Sequence, residues 1–173
     1  YRVAELTADL PTGVTLDTVV CTYTDLYSTV PGEKTVVLYE NGASTGATFA
    51  LFPSTTGAPA PSCVITNIAT SLNLNKILVN DHGGTATLES FTLTATPTGS
   101  SDPVLSGVDP SADPVVGLTG LVGPGEYTLT ETNQPGYSAS DWTCTGATFS
   151  AATGIVTLEQ GQNAVCSITN NDI

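Results

Sequence analysis

Lys76, Glu131 and Asn170 are polar residues set into otherwise apolar alternating patterns. Side chains on a strand point to opposite faces in turn. Lys76 therefore shares its face with Leu72, Leu74 and Leu78, Glu131 with Tyr127 and Leu129, and Asn170 with Cys166 and Ile168. An ammonium or carboxylate stranded in a core is costly, so such groups are paired, neutralised or reacted. Reaction suits these residue types. Desolvation lowers a lysine pKa and raises a glutamate pKa, so Lys76 could offer a neutral amine to the Asn170 carboxamide. Glu131, as general acid and base, could polarise that carbonyl and pass a proton to departing ammonia. The product would be an intramolecular Lys–Asn isopeptide bond, made once per molecule. The plainer alternative is that Lys76 reaches the rim and pairs with Glu131 while Asn170 caps an edge.

The elements that must hold these residues occur twice. Tyr127-Thr-Leu-Thr-Glu131, Trp142-Thr-Cys144 and Cys166-Ser-Ile-Thr-Asn170 have counterparts in Tyr1-Arg-Val-Ala-Glu5, Cys21 and Cys63-Val-Ile-Thr-Asn67. A repeat of this kind means one structural unit used two times. We expect two domains, residues 1–70 forming the latter part of a unit and residues 71–173 a complete one. The second unit reads as strands at Leu72–Val79, Phe91–Thr96, Val115–Leu121, Glu126–Glu131, Tyr137–Thr145, Ile155–Leu158 and Ala164–Thr169. A long Gly, Ser, Asp and Pro loop over Pro97–Pro114 holds one short strand at Val104–Leu105. Seven or so short strands at this spacing imply a β-sandwich. The first unit reads as Tyr1–Leu6, Thr15–Thr24, Thr35–Tyr39, Thr48–Phe52 and Ser62–Asn67, with a hairpin at Glu40-Asn41-Gly42. The fold class is all-β: tandem Ig-like β-sandwiches, the first incomplete.

Composition narrows the function classes. Three basic residues against sixteen acidic ones give a net charge of −13. That charge repels phosphate backbones and anionic membrane surfaces, so no nucleic-acid partner is expected. No apolar run nears the length of a membrane span, so membrane insertion is not expected either. Low charge content with abundant Thr, Ser, Gly, Ala and Val is a secreted or surface profile. Two cysteines per unit, at matching positions, point the same way. Cys21 should pair with Cys63, and Cys144 with Cys166, each closure adding roughly 3–4 kcal/mol.

Other candidates carry less. Cysteines twenty or more residues apart do not make a zinc spacing with His82, the single histidine, so no metal and no cofactor are expected. No Gly-x-Ser-x-Gly elbow accompanies His82, which argues against a hydrolase. Asp81, Asp102, Asp109 and Asp113 lack the spacing of a calcium loop and read as solvated turn residues. Trp142 beside a cysteine strand reads as a core or rim residue.

A lysine in an early strand, Tyr-x-x-x-Glu, and a closing Ile-Thr-Asn resemble the Cna-B, or SpaA-like prealbumin-type, domains of Gram-positive surface adhesins and pilins. The resemblance covers Leu72 to Asn170 in full and Tyr1 to Asn67 in its second part. It implies that Lys76 and Asn170 are the isopeptide partners and Glu131 the catalytic acid. In the first unit it matches Glu5 and Asn67 only, their lysine lying outside that unit. The wording around Thr143-Cys144-Thr145-Gly146 and Cys166–Asp172 is also similar to tandem repeats of large actinobacterial surface proteins. The implied protein is a structural module of an extracellular stalk, adhesin or filament, not an enzyme with turnover. Its expected partners are neighbouring repeats of the same protein, with a homopolymer by strand donation as a further expectation, because an incomplete sandwich exposes edges. The alternative is a ligand- or glycan-binding adhesive domain using end loops such as Pro97–Pro114.

Overall fold

A computed structural model describes residues 10–25, 32–40, 43–44, 61–111 and 116–173. The chain divides into two compact units, Tyr1–Pro11 with Thr15–Ile68, and Thr12–Val14 with Ala69–Ile173. The expected strands at Tyr1–Leu6 and Thr48–Phe52, and with them Glu5, lie outside the described residues.

In the first unit Thr, Val and Tyr runs extend as strands, as their branched and aromatic side chains favour. They are β1 (Val14–Asp25), β2 (Gly32–Glu40), β3 (Ala43–Ser44) and β4 (Ser62–Ala69), in the sheet order β3-β2-β1-β4. β2 and β3 pair antiparallel through Tyr39↔Ser44 and Glu40↔Ala43, while Asn41 and Gly42 of the expected hairpin lie outside the described residues. Leu16, Val19 and Cys21 form a small core, with Val36, Leu38, Tyr39 and Cys63 packed on it.

The second unit contains β5 (Ser71–Val79), a 3-10 turn (Leu88–Ser90), β6 (Leu93–Pro97), β7 (Leu105–Gly107), β8 (Leu118–Leu121) and β9 (Gly125–Glu131). These are followed by β10 (Tyr137–Ala139), β11 (Thr143–Thr145), β12 (Thr148–Ser150), β13 (Ile155–Leu158) and β14 (Asn163–Asp172). One sheet runs β10-β14-β5-β8, with β11 also on β14, and the other β12-β13-β9-β6-β7. Leu72, Leu74, Ala164, Cys166 and Ile168 of the first sheet meet Leu93, Ala95, Leu129, Val156 and Leu158 of the second in one core. Alternation along β14 buries Ala164, Cys166, Ile168, Asn170 and Asp172 in turn.

β5 and β14 lie parallel and adjacent over nine pairs, from Asn163↔Ser71 to Asn171↔Val79. The unit's opening and closing strands are thus neighbours. The stretch read as one strand over Tyr137–Thr145 is two strands, both paired to β14. The break falls where Trp142, 8 % exposed, turns into the core. Ser140 bridges the gap, its N–H donating to Thr169 O and its Oγ accepting the Thr169 N–H. β12 went unread because its three residues offer too short a pattern; it forms a hairpin with β13 whose turn needs Gly154 at φ +67°.

Candidate functional site

Lys76 enters the core because strand parity leaves it no other side. Its side chain is 0 % exposed, and Nζ lies 2.8 Å from Glu131 Oε2, whose side chain is 8 % exposed. Lys76 comes from β5 and Glu131 from β9, so the ion pair spans the two sheets. Nζ also sits 4.3 Å from the centroid of the Phe91 ring. Phe91 is fully buried and meets Tyr137 edge-to-face, with centroids 5.8 Å apart. Burial pushes the Lys76 amine below its ordinary 10.5, and the hydrogen bond and charge of Glu131 offset part of that fall.

Asn170 lies on the next strand of the same sheet. The register sets Ile168 opposite Lys76, and Asn170 is the next residue on the same face of β14. It is 2 % exposed. Its Oδ1 is buried without a hydrogen-bond partner, and so is Glu131 Oε1. Two acceptor oxygens left bare in a core are costly, and a single proton shared between acceptors is what would relieve them. The site therefore combines a desolvated amine, a carboxyl group in contact with it and a carboxamide with an unsatisfied carbonyl. The amine and the carboxyl group are close enough to exchange a proton, and the carboxamide is buried on the neighbouring strand.

The flanking strands are fixed by two more carboxylates. Asp109 is 3 % exposed and accepts the Lys76 backbone N–H at 2.7 Å and the Ser111 N–H at 3.0 Å. Reading it as a solvated turn residue is corrected by this burial; Asp81 and Asp102 are exposed as expected, and Asp113 is outside the described residues. Asp172, 3 % exposed, accepts the N–H groups of Asp81, His82 and Gly84 at 2.9, 2.9 and 2.5 Å. Burial alone would raise its pKa, but those N–H groups and the neighbouring His82 hold it below its ordinary 3.8. The sequence carried a signal for Asp172, which continues the parity of Ile168 and Asn170. The alternation over Phe91–Thr96 likewise puts Phe91 on the buried face with Leu93 and Ala95, whereas no local pattern marked Asp109.

A family model described as a prealbumin-like fold domain, SpaA type, matches residues 67–168. The chain belongs to this family. The match takes in Lys76 and Glu131, while Asn170 lies just past its end. No curated protein and no solved structure matches the chain.

Both cystines of this prealbumin-like protein are formed within single units. Cys21 of β1 is bonded to Cys63 of β4, and Cys144 of β11 to Cys166 of β14, where the two are also register partners. Cystines and a prealbumin-like unit together fit a structural module of an extracellular protein. No helix among the described residues is long and apolar enough to cross a membrane. Asn67 of β4 is exposed, unlike the buried Asn170.

Among the described residues, Asp81, His82 and Asp172 bring donor atoms within 4.8 Å of one another, a set that could hold a metal ion. Two of the three are exposed, His82 Nδ1 already meets Asp81 Oδ1 at 2.7 Å, and Asp172 is taken up by three N–H groups. An open cleft nearby is lined by His82, Ser90, Gln134 and Tyr137 among others, and by none of the Pro97–Pro114 loop.

Proposed function

We propose that this protein is a load-bearing module of an extracellular stalk, adhesin or filament on a Gram-positive surface, closed by a self-formed bond between Lys76 and Asn170. The observation that carries this reading is the buried Lys76–Glu131 pair, with one carboxylate oxygen, Glu131 Oε1, left without a partner and a second unpartnered acceptor, Asn170 Oδ1, buried on the neighbouring strand. Transfer of a proton from Lys76 Nζ to Glu131 leaves a neutral amine and a carboxylic acid. The acid donates to Asn170 Oδ1 and polarises the carbonyl. Nζ then attacks Asn170 Cγ, the Nζ–Cγ bond forms, and the Cγ–Nδ2 bond breaks. Nζ gives up its second proton to Glu131, one proton passes on from Glu131 to the leaving nitrogen, which departs as ammonia, and Glu131 is left as the neutral acid beside the new amide. The charged lysine is gone afterwards, and with it the cost of holding an ion pair in the core.

Such a bond acts once per molecule, so the protein is not an enzyme with turnover. Its benefit is mechanical. The linked strands open and close the unit, and they are adjacent and parallel. A covalent link between them denies unfolding a loose end. On this reading the partners are neighbouring repeats of the same protein. That the first unit is part of another such module, with Glu5 and Asn67 in the equivalent roles, belongs to the same proposal.

Intact-mass spectrometry under reducing conditions tests the bond. The wild-type chain should be lighter than its sequence by one ammonia, and peptide mapping should join Lys76 to Asn170. Glu131→Ala and Asn170→Ala should each restore the full mass. A wild-type chain of full sequence mass would overturn the proposal.

A further inference from the structure

An amide-forming reaction between two strands needs both in register before the bond exists, and two carboxylates outside the reacting trio sit where they can supply that register. β8 pairs with β5 only over Ser71–Leu74. Two residues beyond the last pair, the Lys76 N–H has no ladder partner from β8, and Asp109 Oδ2 accepts it instead at 2.7 Å. The other oxygen of Asp109 holds its own loop through the Ser111 N–H. The nucleophile's backbone is thus tied to the β7–β8 connection at the residue that must not move.

The electrophile is held from its other end. Asp172 follows Asn170 by two residues on the buried side of β14. Its Oδ1 accepts the Asp81 N–H and its Oδ2 those of His82 and Gly84, which clamps the end of β14 onto the turn leaving β5. Gly84 leaves no free space for a side chain here, since a Cβ would press on Tyr137 Oη and lie 2.7 Å from Asp172 Cβ. Tyr137 closes the same turn, donating from its hydroxyl to Asn80 Oδ1 at 2.6 Å and accepting the Ala86 N–H at 2.9 Å. The ring of Tyr137 in turn backs Phe91, which faces Lys76 Nζ.

We infer, on the isopeptide reading, that Asp109 and Asp172 are positioning residues for bond formation, fixing Lys76 and Asn170 in register before either reacts. Neither touches the reacting atoms. Both act on backbone: one on the residue bearing the amine, the other on the turn that meets the strand bearing the amide. A misplacement of about 1 Å in a reaction of this kind can cost roughly 100-fold in rate.

The test follows ammonia loss by intact mass after a short pulse of cell-free synthesis of the full chain. Each variant is held equally far below its own thermal midpoint, measured with Glu131→Ala added so that no bond forms. That choice removes stability from the comparison. Asp109→Ala and Asp172→Ala should close roughly 10–100-fold more slowly than wild type, with the same Lys76–Asn170 product. The amide variants separate the two roles and guard against misfolding. Asp109→Asn keeps one acceptor for the Lys76 N–H and should close near the wild-type rate. Asp172→Asn offers one acceptor oxygen to three N–H groups and should remain slow. Wild-type rates in Asp172→Asn and Asp109→Ala would overturn the positioning role while leaving the bond intact. A wild-type chain that never loses ammonia would overturn the bond itself, and positioning with it.

Discussion

At the residue scale, the protein is organised around a lysine that its own strand forces indoors. A buried ammonium is tolerable only while a partner stands beside it, and Glu131 is that partner at 2.8 Å. Removing it from the unlinked state should be severe. In an Asn170→Ala background, where no bond forms, adding Glu131→Ala should cost about 3–5 kcal/mol by urea denaturation. Replacing the pair together, as Lys76→Met with Glu131→Leu, should recover most of that loss. The pH dependence has a definite sign. Burial lowers the Lys76 pKa from 10.5, so below 10.5 and above the folded value the unfolded chain binds more protons. Stability of the unlinked Asn170→Ala protein should therefore rise with pH through that window. Tyr127, pushed up by burial from 10.0, does the opposite: it binds its proton more tightly when folded and lowers stability above pH 10.0. The rise is read below that point, and it should vanish when Lys76→Met is added. The trio was legible in the sequence because strand parity alone assigns a face to each member. Asp109 was not legible, since a loop acid is buried or exposed according to what the loop wraps around, which no local pattern records.

At the element scale, β14 carries more of the design than any other strand. It pairs with β5, β10 and β11, takes a cystine at Cys166, offers Asn170 to the site and ends in Asp172. Its alternation of apolar and polar residues made it easy to recognise from sequence, and so did that of β5. The strands that escaped or were merged are short ones with few apolar positions, β10, β11 and β12, whose existence depends on pairing rather than on pattern. The clamp at the end of β14 gives an acid prediction. Asp172 is held below its ordinary 3.8 in the folded state, so its contribution is present above that pH and lost as pH falls through the folded value. Acid titration of the unlinked protein should show a stability loss below 3.8 that is smaller in Asp172→Asn. Gly84→Ala attacks the same clamp by crowding, because the new methyl meets Tyr137 and Asp172. It should cost about 1–3 kcal/mol by thermal or urea unfolding; an unchanged midpoint would mean that the turn repacks freely.

At the scale of the molecule, the arrangement of the second unit determines how it would carry the load proposed for it. Tension entering β5 at Ser71 and leaving β14 at Asp172 acts on opposite ends of a parallel pair, because Ser71 lies beside Asn163 and Val79 beside Asn171. Loaded that way, the strands slide against each other instead of unzipping, and the whole ladder resists together. Hydrogen bonds alone would still yield, and then the sandwich would unravel along its length. A bond from Lys76 to Asn170 changes the outcome in kind, since load passes directly between the two strands and everything between those residues is bypassed. The Cys144–Cys166 cystine lies inside that protected loop. On the isopeptide reading its role is to stabilise against heat, denaturant and proteolysis by roughly 3 kcal/mol, not to limit extension. Single-molecule pulling distinguishes these roles. Wild type should show no release of the chain between Lys76 and Asn170, whether oxidised or reduced. Glu131→Ala should extend through that segment, retaining only the cystine loop when oxidised and releasing it as well when reduced. Full extension of the wild type under reducing conditions would show that covalent bypass of the load does not exist, leaving the parallel ladder and the cystine to hold the unit.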